Sequence, residues 1–123
     1  MQKRRVVVTG MGVLSPVGSG VETFWNGLIQ GKSGIHRIDR FDPTEFAAQI
    51  CGDVRDYNAA DHFDVKEARH LSRFIQLGVV AAREALKNSQ LNTETMDPYR
   101  CGVIVGSGVG DRKSTRLNSS HRT

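Results

Sequence analysis

A chain of 123 residues is long enough for one domain with a modest core. Its 38% hydrophobic and 24% charged residues fit a soluble globular protein rather than a disordered or membrane one, and no apolar run approaches the roughly 18 residues of a membrane span. The net charge of +4 suggests a nucleic-acid partner until it is located. Of 17 basic and 13 acidic residues, Arg112, Lys113, Arg116, Arg122 and Asp111 fall after Gly110, which leaves 13 against 12 in residues 1–110. A balance of +1 carries no broad basic face, and nucleic acid drops out as a partner.

The opening MQKRRVVVTGMGVL mimics a signal peptide, but Thr9, Gly10 and Gly12 break the apolar run and no small-residue cleavage site follows. A cytoplasmic protein is expected. Arg5 to Thr9 is short, β-branched and apolar on both faces, the pattern of a strand buried in a parallel sheet. Gly10 to Gly20 is a glycine-punctuated loop. Ser19 or Gly20 can then cap a helix over Val21 to Gln30, with Val21, Phe24, Trp25, Leu28 and Ile29 as its apolar stripe and Gly31 as its stop.

Lys32 to Asp53 reads as irregular, with one short strand around Ala48 to Gly52. Asp64 followed by Glu67 has the form of a capping box. Beyond it, Leu71, Phe74, Ile75, Gly78, Val79, Ala82, Ala85 and Leu86 recur at helical steps, predicting a helix to about Asn88 with that face packed inward. The small residues Gly78, Ala81, Ala82 and Ala85 would allow a close neighbour. Gly102 to Val105 is a second candidate for a buried strand, running into GSGVG.

Cys51 and Cys101 offer neither a disulfide framework nor a C-x-x-C pair, and both are expected as buried structural thiols. His36, His62, His70 and His121 lack metal-ligand spacing and are expected on the surface or at caps. The end, DRKSTRLNSSHRT, has one apolar residue in thirteen and is expected to be a disordered tail over 111–123. Asp111 to His121 also resembles the conceptual translation of a common sequencing adapter.

The run Gly10-Met11-Gly12-Val13-Leu14-Ser15 nearly spells a dinucleotide-binding G-x-G-x-x-G loop. Pro16 and Gly18 prolong the loop before the helix, and GKSGIHRIDRFDP lacks the second strand such a fold needs. A Rossmann-type nucleotide-binding domain is therefore the weakest alternative.

Read whole, RRVVVTGMGVLSPVGSGVETFWNGLIQGKSGI resembles the opening of the β-ketoacyl synthases of the thiolase-like superfamily, closest to the elongating enzymes of type II fatty acid synthesis. Thr9, Gly10, Gly12, Ser15, Pro16, Gly18, Trp25, Gly31, Ser33, Gly34 and Ile35 match the family pattern in order, and FIQLGVVAAREAL and GVIVGSGVG match further on. The resemblance covers 1–110 and implies an α/β class: the N-terminal part of a thiolase-like fold, an incomplete α-β-α layering. It also implies acyltransferase chemistry, the decarboxylative condensation of an acyl thioester with a malonyl thioester on a carrier protein.

In that chemistry a cysteine in a T-A-C-type elbow carries the acyl group and two histidines stabilise the oxyanion. Neither Cys51 nor Cys101 stands in such an elbow and no histidine matches, so no catalytic residue is assigned and the chain alone is expected to be inactive. The resemblance makes Lys66, Arg69 and His70 candidates for docking an acidic acyl carrier protein, and Val109 a candidate for lining the acyl channel near a homodimer interface. Neither a cofactor nor a metal is expected. A non-catalytic partner subunit and a condensing domain of a larger polyketide-type protein remain alternatives; Met1 directly before QKRRVVVTG favours a free-standing enzyme over the latter.

Overall fold

The computed structural model describes residues 1–110. The expectation of a disordered tail over 111–123 lies outside the described residues.

The first regular element is α1, Val21–Ile29. Its N-cap is Gly20, at φ 90°, and Gly31 follows its end at φ 67°, so the start and stop signals both operate. Two short strands come next. The strands β1, Ile35–Arg37, and β2, Ile50–Gly52, pair antiparallel with Ile35 opposite Gly52, His36 opposite Cys51 and Arg37 opposite Ile50. The Ile38 amide donates to the Gln49 carbonyl and prolongs the ladder by one bond. The intervening loop folds on itself through an edge-to-face contact of Phe41 and Phe46, at 5.6 Å between ring centres.

Helix α2, Val65–His70, starts where the capping box predicted: the Asp64 carboxylate accepts from the Glu67 amide at 2.7 Å. It stops at Leu71, whose backbone is extended, and α3 runs from Arg73 to Ser89. Gln76, only 7% exposed, accounts for that break. Its side-chain amide donates to the carbonyls of Ala68 and Leu71, and its Oε1 accepts from the Tyr57 hydroxyl at 2.7 Å. One buried polar side chain thus satisfies the end of α2 and ties it to α3. Around it Phe63 and Val80 form the buried apolar core, with the Arg83 guanidinium over the Phe63 ring.

Several expectations need correction. Neither Arg5–Thr9 nor Gly102–Val105 forms a strand, because a strand exists only where a ladder partner supplies its hydrogen bonds, and none pairs with either segment among the described residues. Their side chains lie open, with Val6 at 94% and Ile104 at 101% exposure. The sheet that does form is the small β1–β2 pair, of which β1 was not foreseen. The inward stripe of α1 is also open: Trp25, Leu28 and Ile29 are exposed, and the buried position is Gly27.

Helix α3 turns a different face inward. Its buried positions are Gln76 and Val80, whereas Phe74, Ile75, Gly78, Ala82 and Leu86 are exposed. Periodicity located the helix but chose the wrong stripe, because the side that meets the rest of the described residues carries Gln76 and Glu84. Of the small residues, Ala81 and Ala85 receive a close neighbour; Gly78 has nothing within 4 Å.

So much open apolar surface leaves little to offset the entropy of ordering the chain. Expressed alone, the 123-residue chain should bind a hydrophobic dye and show poorly dispersed amide NMR signals; a sharp cooperative melt with dispersed signals would refute this.

Candidate functional site

The glycine loop before α1 is laid directly on α3. A Cβ on Gly10 would stand 2.3 Å from the Ala85 carbonyl oxygen, and one on Gly12 would stand 1.9 Å from that of Ala81. Only glycine lets two backbones approach so closely. Side chains of α3 then collect the loop's amides. The Met11 amide donates to Asn88 Oδ1 at 3.2 Å, and the Val13 amide to Glu84 Oε2 at 2.9 Å. The other oxygen of Glu84 accepts from Val21, the first residue of α1, at 2.8 Å. Glu84 therefore caps α1 across 63 residues of sequence, with a negative charge at the helix end that favours it.

Between these anchors, Ser15-Pro16-Val17-Gly18 forms a tight turn: the Ser15 hydroxyl accepts from the Val17 and Gly18 amides, and Leu14 bridges to Ser19. Of the two expected caps of α1 it is Gly20 that takes the position, and Ser19 is left for another bond. Its hydroxyl donates to Asp56 Oδ1 at 2.6 Å and its amide to Oδ2 at 3.1 Å. The Ser19 hydroxyl bond holds the Asp56 carboxyl below its ordinary value, against a smaller opposing effect of burial. Burial pushes the Tyr57 hydroxyl up, with Arg73 over its ring acting in the opposite sense.

This geometry disposes of the nucleotide alternative. The amides that would cradle a phosphate donate instead to Asn88, Glu84 and Asp56, and two of those three acceptor side chains are acids that repel an anion. The loop also leads into a hollow of the wrong character. Met11, Val13, Val21, Phe24, Trp25 and Leu28 line an apolar depression of about 770 Å³.

The resemblance-derived residues fall in two places. Lys66, Arg69 and His70 are exposed and, at steps of three and four along α2, share one face. No ion pair among the described residues involves Lys66 or Arg69. Val109 is 81% exposed, near the end of the described chain and on no regular element. The two groups lie on separate segments and do not form one site.

The thiols also depart from expectation: Cys101 is exposed and Cys51 only half-buried. Cys101 is open because the strand expected around Gly102 has no neighbours, and Cys51 because the β1–β2 pair is covered on one side at most. Among the histidines, His62 stacks on Tyr57 and His70 is on the surface, whereas half-buried His36 stands across the ladder from Cys51. No group of three or more metal-ligating side chains occurs among the described residues, and no described helix is long and apolar enough to cross a membrane. The residues that sequence reasoning missed are Glu84, Asn88 and Asp56, whose only signal was an acid or amide at a step of four along a helix or after a loop.

The loop that joins the glycine turn to a helix with a central tryptophan has counterparts among known proteins. A family profile described as the beta-ketoacyl synthase N-terminal domain matches residues 3–123. The chain belongs to the β-ketoacyl synthase family. Among curated relatives, a 3-oxoacyl-[acyl-carrier-protein] synthase 2 of Staphylococcus aureus (strain COL) is 45% identical over 116 residues, which cover 94% of this chain and 28% of the relative. A synthase of the same name from Vibrio harveyi is 46% identical over 110 residues, 89% of this chain and 26% of the relative. This member of the β-ketoacyl synthase family thus spans little more than a quarter of the length of these relatives.

Solved ketosynthases agree. The ishigamide ketosynthase/chain length factor superposes at a TM-score of 0.64 with 35% identity, covering 76% of this chain and 23% of its own. AntDE:AntF, a type II polyketide synthase acyl-carrier protein in complex with its ketosynthase, gives 0.60 and 34%, covering 80% and 22%. The thiolase-like fold expected from the sequence is the one these ketosynthases support.

Two outcomes follow from the clamp. In a chimera that completes residues 1–110 with the remainder of the Staphylococcus aureus relative, Glu84→Ala should lower stability by about 2 kcal/mol in urea unfolding, since two hydrogen bonds to a half-buried carboxylate are lost. The Asp56–Ser19 tether has a depressed carboxyl pKa, so its contribution is complete above the ordinary value of about 3.9 and is lost as pH falls through the lower folded value. The Ser19 amide NMR shift should be flat from neutrality to that point and titrate below it, and Asp56→Asn should abolish the change.

Proposed function

We propose that this chain is the N-terminal part of a 3-oxoacyl-[acyl-carrier-protein] synthase that elongates fatty acyl chains by decarboxylative condensation of an acyl thioester with a malonyl thioester on a carrier protein. The observation that carries this reading is 45% identity to a synthase of that name over 94% of the chain. The acyl-bearing cysteine and the two oxyanion-stabilising histidines belong to the part of the relatives that lies beyond this chain, so residues 1–123 alone have no condensing activity. The layered α-β-α arrangement, a homodimer and a cytoplasmic location go with the same reading. The open stripes of α1 and α3 and the unpaired Arg5–Thr9 and Gly102–Val105 are the surfaces such layers would cover. The composition break after Gly110 supports reading 111–123 as adapter-derived rather than synthase sequence, although the family match runs on to residue 123.

Lys66, Arg69 and His70 are the proposed docking face for the acidic carrier protein, an assignment helped by their exposure on one side of α2 and by the carrier complex of a related ketosynthase. Val109 is proposed to line the acyl channel where the rest of the enzyme closes over GSGVG. The chimera with the Staphylococcus aureus relative tests both the family activity and the docking face. It should condense acyl and malonyl carrier protein, and Lys66→Glu with Arg69→Glu should raise the carrier-protein KM about tenfold at low salt with kcat unchanged, an effect that shrinks as salt screens the charges. An inactive but folded chimera would sink the synthase reading; an active one indifferent to the charge reversals would sink the docking face alone.

A further inference from the structure

The register of β1 and β2 places His36 directly across from Cys51, and both side chains are the half-buried ones on strands whose other residues are exposed. Cys51 Sγ lies 4.0 Å from His36 Nε2. The other ring nitrogen, Nδ1, is 3.3 Å from the Gly34 carbonyl oxygen. A proton on Nδ1 donated to that carbonyl leaves Nε2 as an acceptor facing the thiol, the arrangement in which an imidazole takes a thiol proton. His36 also forms part of the wall of an open hollow of about 270 Å³, together with Pro16, Lys32, Ser33, Gly34 and Arg55. Asp56 shares that wall, but its carboxylate is held by Ser19. A small molecule in the hollow stands beside the imidazole.

We propose that Cys51 and His36 form a thiol–imidazole pair that makes Cys51 a site of mixed-disulfide formation with small-molecule disulfides. The thiol proton passes from Sγ to His36 Nε2, and the thiolate attacks one sulfur of the disulfide. The S–S bond of the small molecule breaks, a bond from Cys51 Sγ to one half forms, and the other half leaves as a thiolate that takes the proton back from His36. Cys51 is oxidised and one equivalent of small thiol is released, so no further reagent is consumed. The inference stands apart from the condensing-enzyme reading, since it uses no residue of that chemistry and its readout is chemical modification.

The chimera that completes residues 1–110 with the remainder of the Staphylococcus aureus relative is treated with oxidised glutathione, quenched with acid over time, and its Cys51 peptide quantified by mass spectrometry, in buffer and in urea. Cys51 should react at least about fivefold faster in buffer than in urea, because only the folded chain sets His36 Nε2 against the thiol. His36→Asn should bring the rate in buffer down to the rate in urea or below. Equal or slower reaction of Cys51 in buffer than in urea, or an unchanged rate in His36→Asn, would each overturn the proposal.

Discussion

Everything around the candidate site depends on one carboxylate. Glu84 reaches from the middle of α3 to two amides that the chain separates by eight residues, at Val13 in the loop and Val21 at the head of α1. Neither amide has an alternative partner in regular structure: Val13 belongs to no helix or strand, and the first N–H groups of a helix, Val21 among them, have none within the helix. A glycine loop of this length has many conformations, and it is the shared acceptor that selects one. The turn at Ser15 and the tether from Ser19 to Asp56 then act on a loop whose two ends are already fixed.

The same economy applies to Gln76, which satisfies carbonyls at the end of α2 and receives the Tyr57 hydroxyl. Within the described residues, order is carried more by polar side chains bonded to backbone than by apolar burial, because only Phe63 and Val80 are buried hydrophobic residues. Such bonds specify geometry well and stabilise weakly. A hydrogen bond contributes about 1 kcal/mol net, whereas a fully buried aliphatic or aromatic side chain contributes about 1.5–3. The architecture is thus well defined locally and poorly supported globally.

What could be read from the sequence follows from that distinction. The caps were legible, since Asp64 and Glu67 or Gly20 and Gly31 act within a few residues of themselves. The existence of α1 and α3 was legible for the same reason. Which face of α3 turns inward was not, because hydrophobic periodicity assumes that every apolar stripe has a cover, and the stripe through Phe74, Ile75 and Leu86 stays exposed among the described residues. Strands fared worst: Arg5–Thr9 has the composition of a strand, but pairing is a property of two segments and composition belongs to one. Family resemblance reached further than local rules, as the profile match shows, yet it could not reveal that Glu84 accepts from the amides of Val13 and Val21 on either side of the turn.

The close seating of Gly10 and Gly12 on α3 is also a matter of matched lengths. Two residues of extended chain advance about 6.6 Å, and four residues of helix advance about 6 Å. Gly10 rests on Ala85 and Gly12 on Ala81, so the loop and the helix run in opposite directions as two rulers with commensurate marks. A single residue inserted between the two glycines would put every later mark out of step and set a Cβ against a carbonyl. Length variation in this chain must therefore be confined to segments that rest on nothing periodic, such as the turn between β1 and β2, while the stretch from Gly10 to Val13 can change neither its size nor its count.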